Sequence, residues 1–211
     1  LVAVGIAGES DEIIMSSAKG QAVRFRQGTV RSSGRNAQGV RGIKLRSGDY
    51  LVGMVVADPE ATLLTVCLHG YGKRTPIGPN APAGDVADEE GAEEITTPEP
   101  EAAAEEDEGD SSSSRYPTKG RGTMGVRDIK TTERNGPAIG IEVIRDSDEL
   151  LMMTARGKLQ RIAAKDISVI GRNTQGVRIM SLDEGDTLVA VVRVPPEEVE
   201  GAAEAAPAPA P

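Results

Sequence analysis

A pattern of one turn glycine followed by a glycine-rich heptapeptide occurs three times along this chain of 211 residues. The heptapeptides are Gly34–Val40, Gly120–Val126 and Gly171–Val177, and the turn glycines that precede them are Gly20, Gly70 and Gly157. Each turn glycine follows an apolar run such as Leu63-Leu64-Thr65-Val66. A repeat of about 50 residues predicts a propeller, a solenoid or another array of similar units.

One insertion explains the uneven spacing of the three copies. The heptapeptide begins 14 residues after the turn glycine in the first and third copies, but 50 residues after it in the middle copy. The extra residues fall in about 77–114, which contains 13 acidic residues and no Lys or Arg. Because such a stretch cannot bury enough apolar surface to offset its ordering entropy, we predict a disordered acidic loop there. The Ala/Pro-rich acidic tail, 195–211, receives the same prediction.

The net charge of −9 hides a basic folded part. Outside the predicted loop and tail, 16 acidic residues face 24 basic ones, which gives +8. Predicted units of 1–52, 53–141 and 142–194 carry eight Lys or Arg each. A basic footprint of this kind suits a polyanion, most often a nucleic acid. A solvated surface of mixed charge is the alternative, and the periodic placement of the bases favours binding.

Short β-branched and aliphatic runs separated by Gly, Asp and Ser predict β-strands. The first copy gives four of them: Glu12–Ser16, Gln21–Arg26, Gly42–Leu45 and Tyr50–Val56. Within the second run, alternation predicts that Val23 and Phe25 point inward and that Arg24 and Arg26 point outward. Four strands per 50 residues are typical of a propeller blade, so the fold class is all-β. With only four aromatic residues, the core must be aliphatic and stacking on single-stranded bases is disfavoured.

Several other kinds of site are disfavoured by the sequence. Cys67 and His69 are the only cysteine and histidine, so a disulfide within the chain is impossible and a structural zinc site is improbable. Gly120–Gly125 matches the dinucleotide pattern G-x-G-x-x-G, but the strand before it and the helix after it are missing. We find no signal peptide and no membrane-length apolar run. The chain starts at Leu1 inside an apparent strand, and we expect it to be a fragment of a longer protein.

Several motifs together resemble the C-terminal domain of the DNA gyrase A protein. They are Lys19–Phe25, Val30–Leu45, Gly70–Thr75, Tyr116–Lys119, Thr132–Gly136 and Ile170–Val177. The resemblance covers about 1–76 and 115–194, which is nearly everything outside the predicted loop and tail. It implies a β-pinwheel, a propeller-like disc of four-stranded blades with duplex DNA wrapped around its basic rim. This chain would supply about three blades of a partial pinwheel.

The resemblance also implies a parent enzyme, an A2B2 type II topoisomerase that contains the gyrase B protein and introduces negative supercoils using ATP and Mg²⁺ bound by other domains. It implies no cofactor, metal or catalytic residue in this fragment, and a cytoplasmic, nucleoid-associated location away from membranes. The catalytic tyrosine belongs to another domain, so Tyr50, Tyr71 and Tyr116 are not expected to be that residue.

Two departures leave alternatives open. The family's glycine- and lysine-rich signature box is absent here, which keeps the A-type subunit of topoisomerase IV in consideration. A propeller-like protein-interaction module is the other alternative, and the charge of +8 argues against it. The acidic insertion is outside the family pattern, and it could either compete with DNA for the basic surface or serve as a solubilising linker.

Wrapping a duplex requires many contacts to phosphates rather than to bases. We therefore predict DNA-binding residues among the bases of the repeated turns. These are Arg35, Arg41, Lys44, Lys119, Arg121, Arg127, Arg172 and Arg178. A second group lies on the second strand of each copy, namely Arg24, Arg26, Lys73, Arg74, Lys158 and Arg161. A surface charge without a ligand is the alternative for each of them.

Overall fold

The structure, a computed structural model, describes residues 1–78 and 115–196. The predictions of disorder for the acidic insertion and the tail therefore fall almost entirely outside the described residues. Ile77 and Gly78, which the sequence assigned to the insertion, belong to the folded part: Ile77 is fully buried. The described residues contain no long apolar helix of the kind that crosses a bilayer.

Eleven β-strands and two short 3-10 turns make up the described regular structure. The strands are β1 Glu12–Ser17, β2 Gln21–Arg26, β3 Leu51–Val56, β4 Thr62–Cys67, β5 Tyr71–Pro76, β6 Val126–Arg127, β7 Ala138–Ile144, β8 Glu149–Thr154, β9 Leu159–Ala163, β10 Val177–Arg178 and β11 Leu188–Val194. The 3-10 turns are Gln27–Thr29 and Ala164–Asp166. No α-helix occurs in the part of the chain that the structure describes, which confirms the all-β prediction.

The strands form three antiparallel sheets, one for each copy of the repeat. Their orders are β3-β1-β2-β6, β10-β5-β4-β7 and β11-β8-β9. Each sheet is built on a hairpin, β1-β2, β4-β5 or β8-β9, whose connection contains the turn glycine of that copy. Both strands of each hairpin are close in sequence, so each pair is formed by two short runs separated by the turn glycine.

The fourth strand of a sheet comes from the following copy. β6 pairs with β2, with Val126 opposite Ala22, and β10 pairs with β5, with Val177 opposite Gly72. The prediction of Gly42–Leu45 as the fourth strand of the first sheet was wrong, since β6 occupies that edge. Residues 42–45 instead lie against the heptapeptide of the second copy.

The sheets therefore do not coincide with the repeats as they are read along the sequence. The proposed boundaries at 52/53 and 141/142 fall inside β3 and β7. Each of the first two sheets contains residues from both sides of a boundary. The units 1–52, 53–141 and 142–194 remain predictions about the repeat, and the packed units extend across them.

The core is aliphatic and runs from sheet to sheet. Ile14, Leu63 and Ile141 share a cluster between the first two sheets, while Leu64 and Leu150 share another between the second and third. Burial of such side chains contributes roughly 1.5–3 kcal/mol each. Cys67 is a buried part of this core, and burial raises the pKa of its thiol to about 12. It therefore acts as a small apolar side chain.

Candidate nucleic-acid interface

The heptapeptides of the second and third copies are anchored on both sides to the second strand of the preceding copy. Before the heptapeptide, Thr118 forms a parallel bridge with Arg24, and Val169 forms the equivalent bridge with Arg74. After it, β6 and β10 add to β2 and β5. The repeated turn is thus a loop held at a fixed place on the neighbouring sheet.

Successive turns also contact one another. The backbone N–H of Lys44 donates to the carbonyl of Thr123 at 2.9 Å, and that of Lys130 donates to the carbonyl of Thr174 at 2.8 Å. Residues 41–44, 119–130 and 172–178 consequently form a continuous strip, which we call the basic band. It links all three copies of the repeat.

The basic band brings together most of the bases that the turns were predicted to supply. Its basic side chains, all exposed except the half-buried Arg121, are Arg41, Lys44, Lys119, Arg121, Arg127, Lys130 and Arg178. Arg41, Arg127 and Arg178 occupy the same position in the three copies, two residues after the last glycine of the heptapeptide. Arg35 is exposed on the first heptapeptide, next to the band.

Acidic residues are excluded from the sequence around the band. None occurs in 29–48, 115–127 or 167–182, which together contain eleven Lys or Arg. Asp128 lies within the band but is fully buried. Among the described residues, no carboxylate lies within ion-pairing distance of the exposed basic side chains of the band. Within the part of the chain that the structure describes, this surface is therefore positively charged and has no counterion.

Four exposed bases elsewhere are held in ion pairs. Arg145 contacts Asp58 at 2.5 Å, and Arg193 contacts Asp148 at 2.9 Å. Two predicted DNA-binding residues have the same arrangement: Lys158 is 3.8 Å from a carboxylate oxygen of Asp183, and Arg161 forms hydrogen bonds to Glu149. Lys158 and Arg161 therefore lie outside the basic band. Arg26 is exposed at the end of β2 and also lies outside it.

The outward orientation predicted for Arg24 was wrong. The residue is 3% exposed, and its Nε lies 2.5 Å from a carboxylate oxygen of Glu12. Its remaining nitrogens donate to the backbone carbonyls of Ile77, Gly78 and Tyr116. With its donors used internally, Arg24 ties together the two chain segments that flank the acidic insertion and cannot reach a phosphate.

Lys73 is another predicted DNA-binding residue that the structure buries. Its Nζ lies 3.3 Å from Asp128, donates to the hydroxyl of Thr75 at 2.7 Å, and donates to the carbonyl of Gly171 at 3.3 Å. Asp128 also accepts a hydrogen bond of 2.6 Å from Tyr116. Burial lowers the pKa of Lys73, and the nearby Asp128 carboxylate opposes that shift. Through the hydrogen bond from Lys73 to Gly171, this buried pair contacts the heptapeptide of the third copy.

Two further arginines have structural roles. Arg74 is buried and donates to the carbonyl of Ile167 at 2.9 Å and to the carboxylate of Asp146. Arg172 is 8% exposed and donates to the carbonyl of Arg127 at 3.1 Å, which joins the second and third turns. The four buried bases, Arg24, Lys73, Arg74 and Arg172, thus support the band rather than form its surface.

Among the exposed bases that sequence reasoning did not select, Lys130 belongs to the basic band and Arg134 lies four residues after it. Lys130 follows Gly125 by five residues, as Lys44 follows Gly39, so the repeat itself carried the signal. Arg134 had no such signal, because the equivalent positions are Ser47 and Glu184. Its Nε donates to the hydroxyl of Tyr71 at 3.1 Å.

Comparison with known proteins agrees with this architecture. A family described as "DNA gyrase C-terminal domain, beta-propeller" matches residues 11–58, 111–145 and 148–195. The chain belongs to this family. The first and third ranges cover most of the first and third copies, and the second covers the heptapeptide and β7 of the middle copy. The family resemblance and the partial pinwheel are confirmed.

Relatives of this gyrase C-terminal domain are named as the A protein of DNA gyrase. The one from Salmonella typhimurium strain LT2 is 39% identical over 194 residues, and that of Escherichia coli strain K12 is 35% identical over the same length. These matches cover 92% of this chain but only 18% of each relative. The chain thus spans about a fifth of the length of these relatives.

Two solved structures have the same fold. A DNA gyrase A C-terminal domain matches with a TM-score of 0.67 and 26% identity, covering 89% of this chain and 52% of that one. The C-terminal domain of a DNA topoisomerase IV matches with a TM-score of 0.66 and 19% identity, covering 89% and 47%. The second similarity, at its low identity, supports the fold alone.

Proposed function

We propose that this chain binds duplex DNA through the basic band, without sequence preference, and wraps it as part of the A protein of a DNA gyrase. The observation that carries this proposal is the repetition of Arg41, Arg127 and Arg178 at one position of three linked copies, all exposed and without a carboxylate partner among the described residues. Bases at regular intervals along a curved array of sheets suit a phosphate backbone that follows the same path.

Contacts of this kind position the duplex but carry no sequence information. Bending 20–30 base pairs costs about 1–6 kcal/mol on elastic estimates, and this cost must be offset by contacts distributed along the bend. The basic band supplies such contacts from every copy, whereas a single cluster would hold the duplex at only one place. Wrapping therefore follows more naturally from this geometry than binding to one short site.

Within the parent enzyme, this domain would hold DNA while other domains cut it. The proposed parent is an A2B2 complex that contains the gyrase B protein and uses ATP and Mg²⁺, bound outside this chain, to introduce negative supercoils in the cytoplasm and nucleoid. Tyr71 and Tyr116 are nearly fully buried and hydrogen-bonded to Arg134 and Asp128, which fits structural roles better than strand cleavage. This domain would then need no cofactor of its own.

The two alternatives have less support. For topoisomerase IV, the similarity is structural at 19% identity, whereas the sequence relatives given above are gyrase A proteins. A protein-interaction module would need a surface of mixed or apolar character, and residues 29–48, 115–127 and 167–182 around the basic band contain no acidic residue.

The direct test is binding of the full chain to a duplex of about 40 base pairs over a series of salt concentrations. We expect affinity to fall steeply with salt and to be similar for unrelated sequences. Arg41→Ala should lower the slope of log affinity against log salt by about one, because one phosphate contact is lost. Arg145→Ala, which removes an ion-paired base outside the band, is the control. Weak binding with a flat slope would contradict the proposal.

A further inference from the structure

Tyr71 brings two exposed arginines to a single oxygen atom. Tyr71 begins β5 and lies directly opposite Arg178 of β10 in the antiparallel register. The Arg178 side chain donates to the Tyr71 hydroxyl at 3.2 Å, and its guanidinium carbon is 5.6 Å from the ring centroid. Arg134 donates to the same hydroxyl at 3.1 Å, with its guanidinium carbon 5.1 Å from the centroid.

Arg134 is fixed in place by the turn that carries it. The neighbouring Asn135 is fully buried, and its side-chain amide donates to the carbonyls of Lys130 and Gln175, both at 3.0 Å. The side-chain oxygen of Asn135 accepts from the backbone N–H of Thr132 at 2.7 Å. Arg134 is thus attached both to the band and to the heptapeptide of the third copy.

The charges at this place are unbalanced. Two guanidinium groups share one hydroxyl acceptor, and within the described residues neither of them has a carboxylate at ion-pairing distance. Like charges held this close repel each other, so an anion between them would relieve a cost that the fold otherwise carries. Each guanidinium has five N–H donors and uses one on Tyr71, which leaves donors for the oxygens of such an anion.

This arrangement occurs only in the middle copy. The position of Tyr71 is Gln21 in the first copy and Lys158 in the third, and that of Arg134 is Ser47 or Glu184. Arg127, the counterpart of Arg178, lies opposite Gln21 and donates to Asn173 at 3.4 Å. The repeat alone therefore does not account for the cluster. Arg127 is an equivalent arginine outside such a cluster and serves as a control for Arg178.

We propose that Arg134 and Arg178 bind one backbone phosphate of the wrapped duplex and that Tyr71 positions both guanidinium groups for it. The proposal rests on the proposed function and adds that one point of the band is a preorganised anchor, stronger than its neighbours. Arginine suits this role because its planar group can present two parallel N–H donors to a phosphate. Tyr71, at 5% exposed, acts through the arginines rather than by contact with DNA.

The test compares equivalent arginines in the full chain bound to a duplex of about 40 base pairs. Arg178→Ala is expected to weaken binding about tenfold, and Arg127→Ala only about threefold, since only the first removes part of the anchor. Arg134→Ala should likewise weaken binding about tenfold, while its control Arg145→Ala should stay close to the parent chain.

Tyr71→Phe tests the positioning role. It keeps the ring under both guanidinium groups and removes only the hydroxyl, so we expect affinity to fall severalfold. The same change made in an Arg134→Ala, Arg178→Ala background should have no effect, because no guanidinium remains to be positioned. A loss of affinity that persists in that background would show a general structural role and overturn the assignment to Tyr71. Thermal unfolding of each variant checks that the fold is intact.

The outcomes separate the two proposals. If the parent chain binds duplex with a steep salt dependence but Arg178→Ala and Arg127→Ala lose equal affinity, the anchor is wrong and the basic band stands. If the parent chain shows no salt-dependent binding, the proposed function fails, and the anchor fails with it. Equal effects of Arg134→Ala and Arg145→Ala would contradict the anchor independently.

Discussion

At the scale of single residues, one buried charge pair of this domain contrasts with the exposed bases of the basic band. Lys73 and Asp128 are both fully buried, while the bases that remain exposed on the basic band have no carboxylate partner among the described residues. A buried ion pair often adds little net stability, yet it fixes one geometry, because any other arrangement leaves a charge without a partner. Here that geometry sets the place of Gly171, whose carbonyl accepts from Lys73.

Removal of one partner should therefore cost more than removal of both. We expect Lys73→Met to lower the free energy of unfolding by about 3–5 kcal/mol, since the Asp128 carboxylate would stay buried with only hydroxyl donors. The double variant Lys73→Met, Asp128→Asn should recover part of that loss. Urea unfolding of the two single variants and the double variant measures the coupling. Strictly additive losses would contradict the role of the pair.

The tyrosines should ionise in separate steps. Hydrogen bonds from Arg134 and then Arg178 lower the pKa of Tyr71, whereas burial and then Asp128 raise that of Tyr116 well above its usual range. In a Tyr50→Phe background, only Tyr71 and Tyr116 remain to titrate. As the pH rises, we expect phenolate absorbance to increase in two steps, one below and one above the free tyrosine pKa of about 10. Tyr71→Phe should remove the early step. A single step at the free value would contradict both environments.

The raised pKa of Tyr116 makes the stability of the fold depend on pH at the alkaline end. The fold favours the neutral phenol of Tyr116, and its pKa is raised relative to the unfolded chain. Its contribution is therefore fully present below the unfolded value of about 10 and is lost as the pH rises from there toward the folded pKa. We expect unfolding in the parent chain to become easier at the alkaline end, and less so in Tyr116→Phe.

At the scale of elements, docking of the turn on the neighbouring strand determines where glycine is required. Gly125 has a φ of 70°, and a Cβ there would lie 2.0 Å from the carbonyl oxygen of Ala22 on β2. Gly39, its counterpart in the first copy, has a φ of 79° but no atom within 4 Å of an added Cβ. The two positions share their backbone conformation and differ only in the neighbouring strand.

Alanine at these two positions should separate the cost of the left-handed backbone conformation from the cost of a clash with the neighbouring strand. Gly39→Ala should lower the free energy of unfolding by about 1–2 kcal/mol, the cost of a left-handed conformation. Gly125→Ala should cost about 3 kcal/mol or more, because β6 must also move away from β2. Chemical denaturation of both variants makes the comparison. Equal losses would mean that docking against β2 contributes nothing.

Local and distant contacts explain what the sequence could predict. The hairpins, the aliphatic core and the exposed Arg41, Arg127 and Arg178 follow from runs and spacings within about 50 residues. The fourth strands do not, because β6 and β10 are too short to give a pattern and pair across copies. Arg24 could not be placed either, since Glu12, Ile77 and Tyr116 reach it from three separate segments.

At the scale of the whole molecule, the charge divides between a basic folded part and an acidic insertion. The ends of that insertion are close together, since a Cβ added to Gly78 would lie 3.0 Å from the Arg115 side chain. Removal of the residues between them should therefore leave the sheets in place. The acidic segment ends a few residues before Lys119 of the band, and as a tethered polyanion it would compete with DNA there.

Deletion of 83–113 should tighten binding to duplex DNA at low salt, and the difference should shrink as salt screens the charges. A chain of the same length with the acidic residues of 83–113 changed to Asn and Gln is the control, and it should bind as tightly as the deletion. Affinity that is unchanged in both would exclude competition and leave the segment as a linker.

The exchange of strands between copies also bears on how such domains arise and change. Both junctions between the copies are made from the same two parts, the turn of the later copy and the second strand of the copy before it. A gene duplication that adds one copy brings both parts with it, and the new junction needs no redesign. Domains of this family could therefore gain or lose blades one at a time, and the length of DNA they hold would change in equal steps.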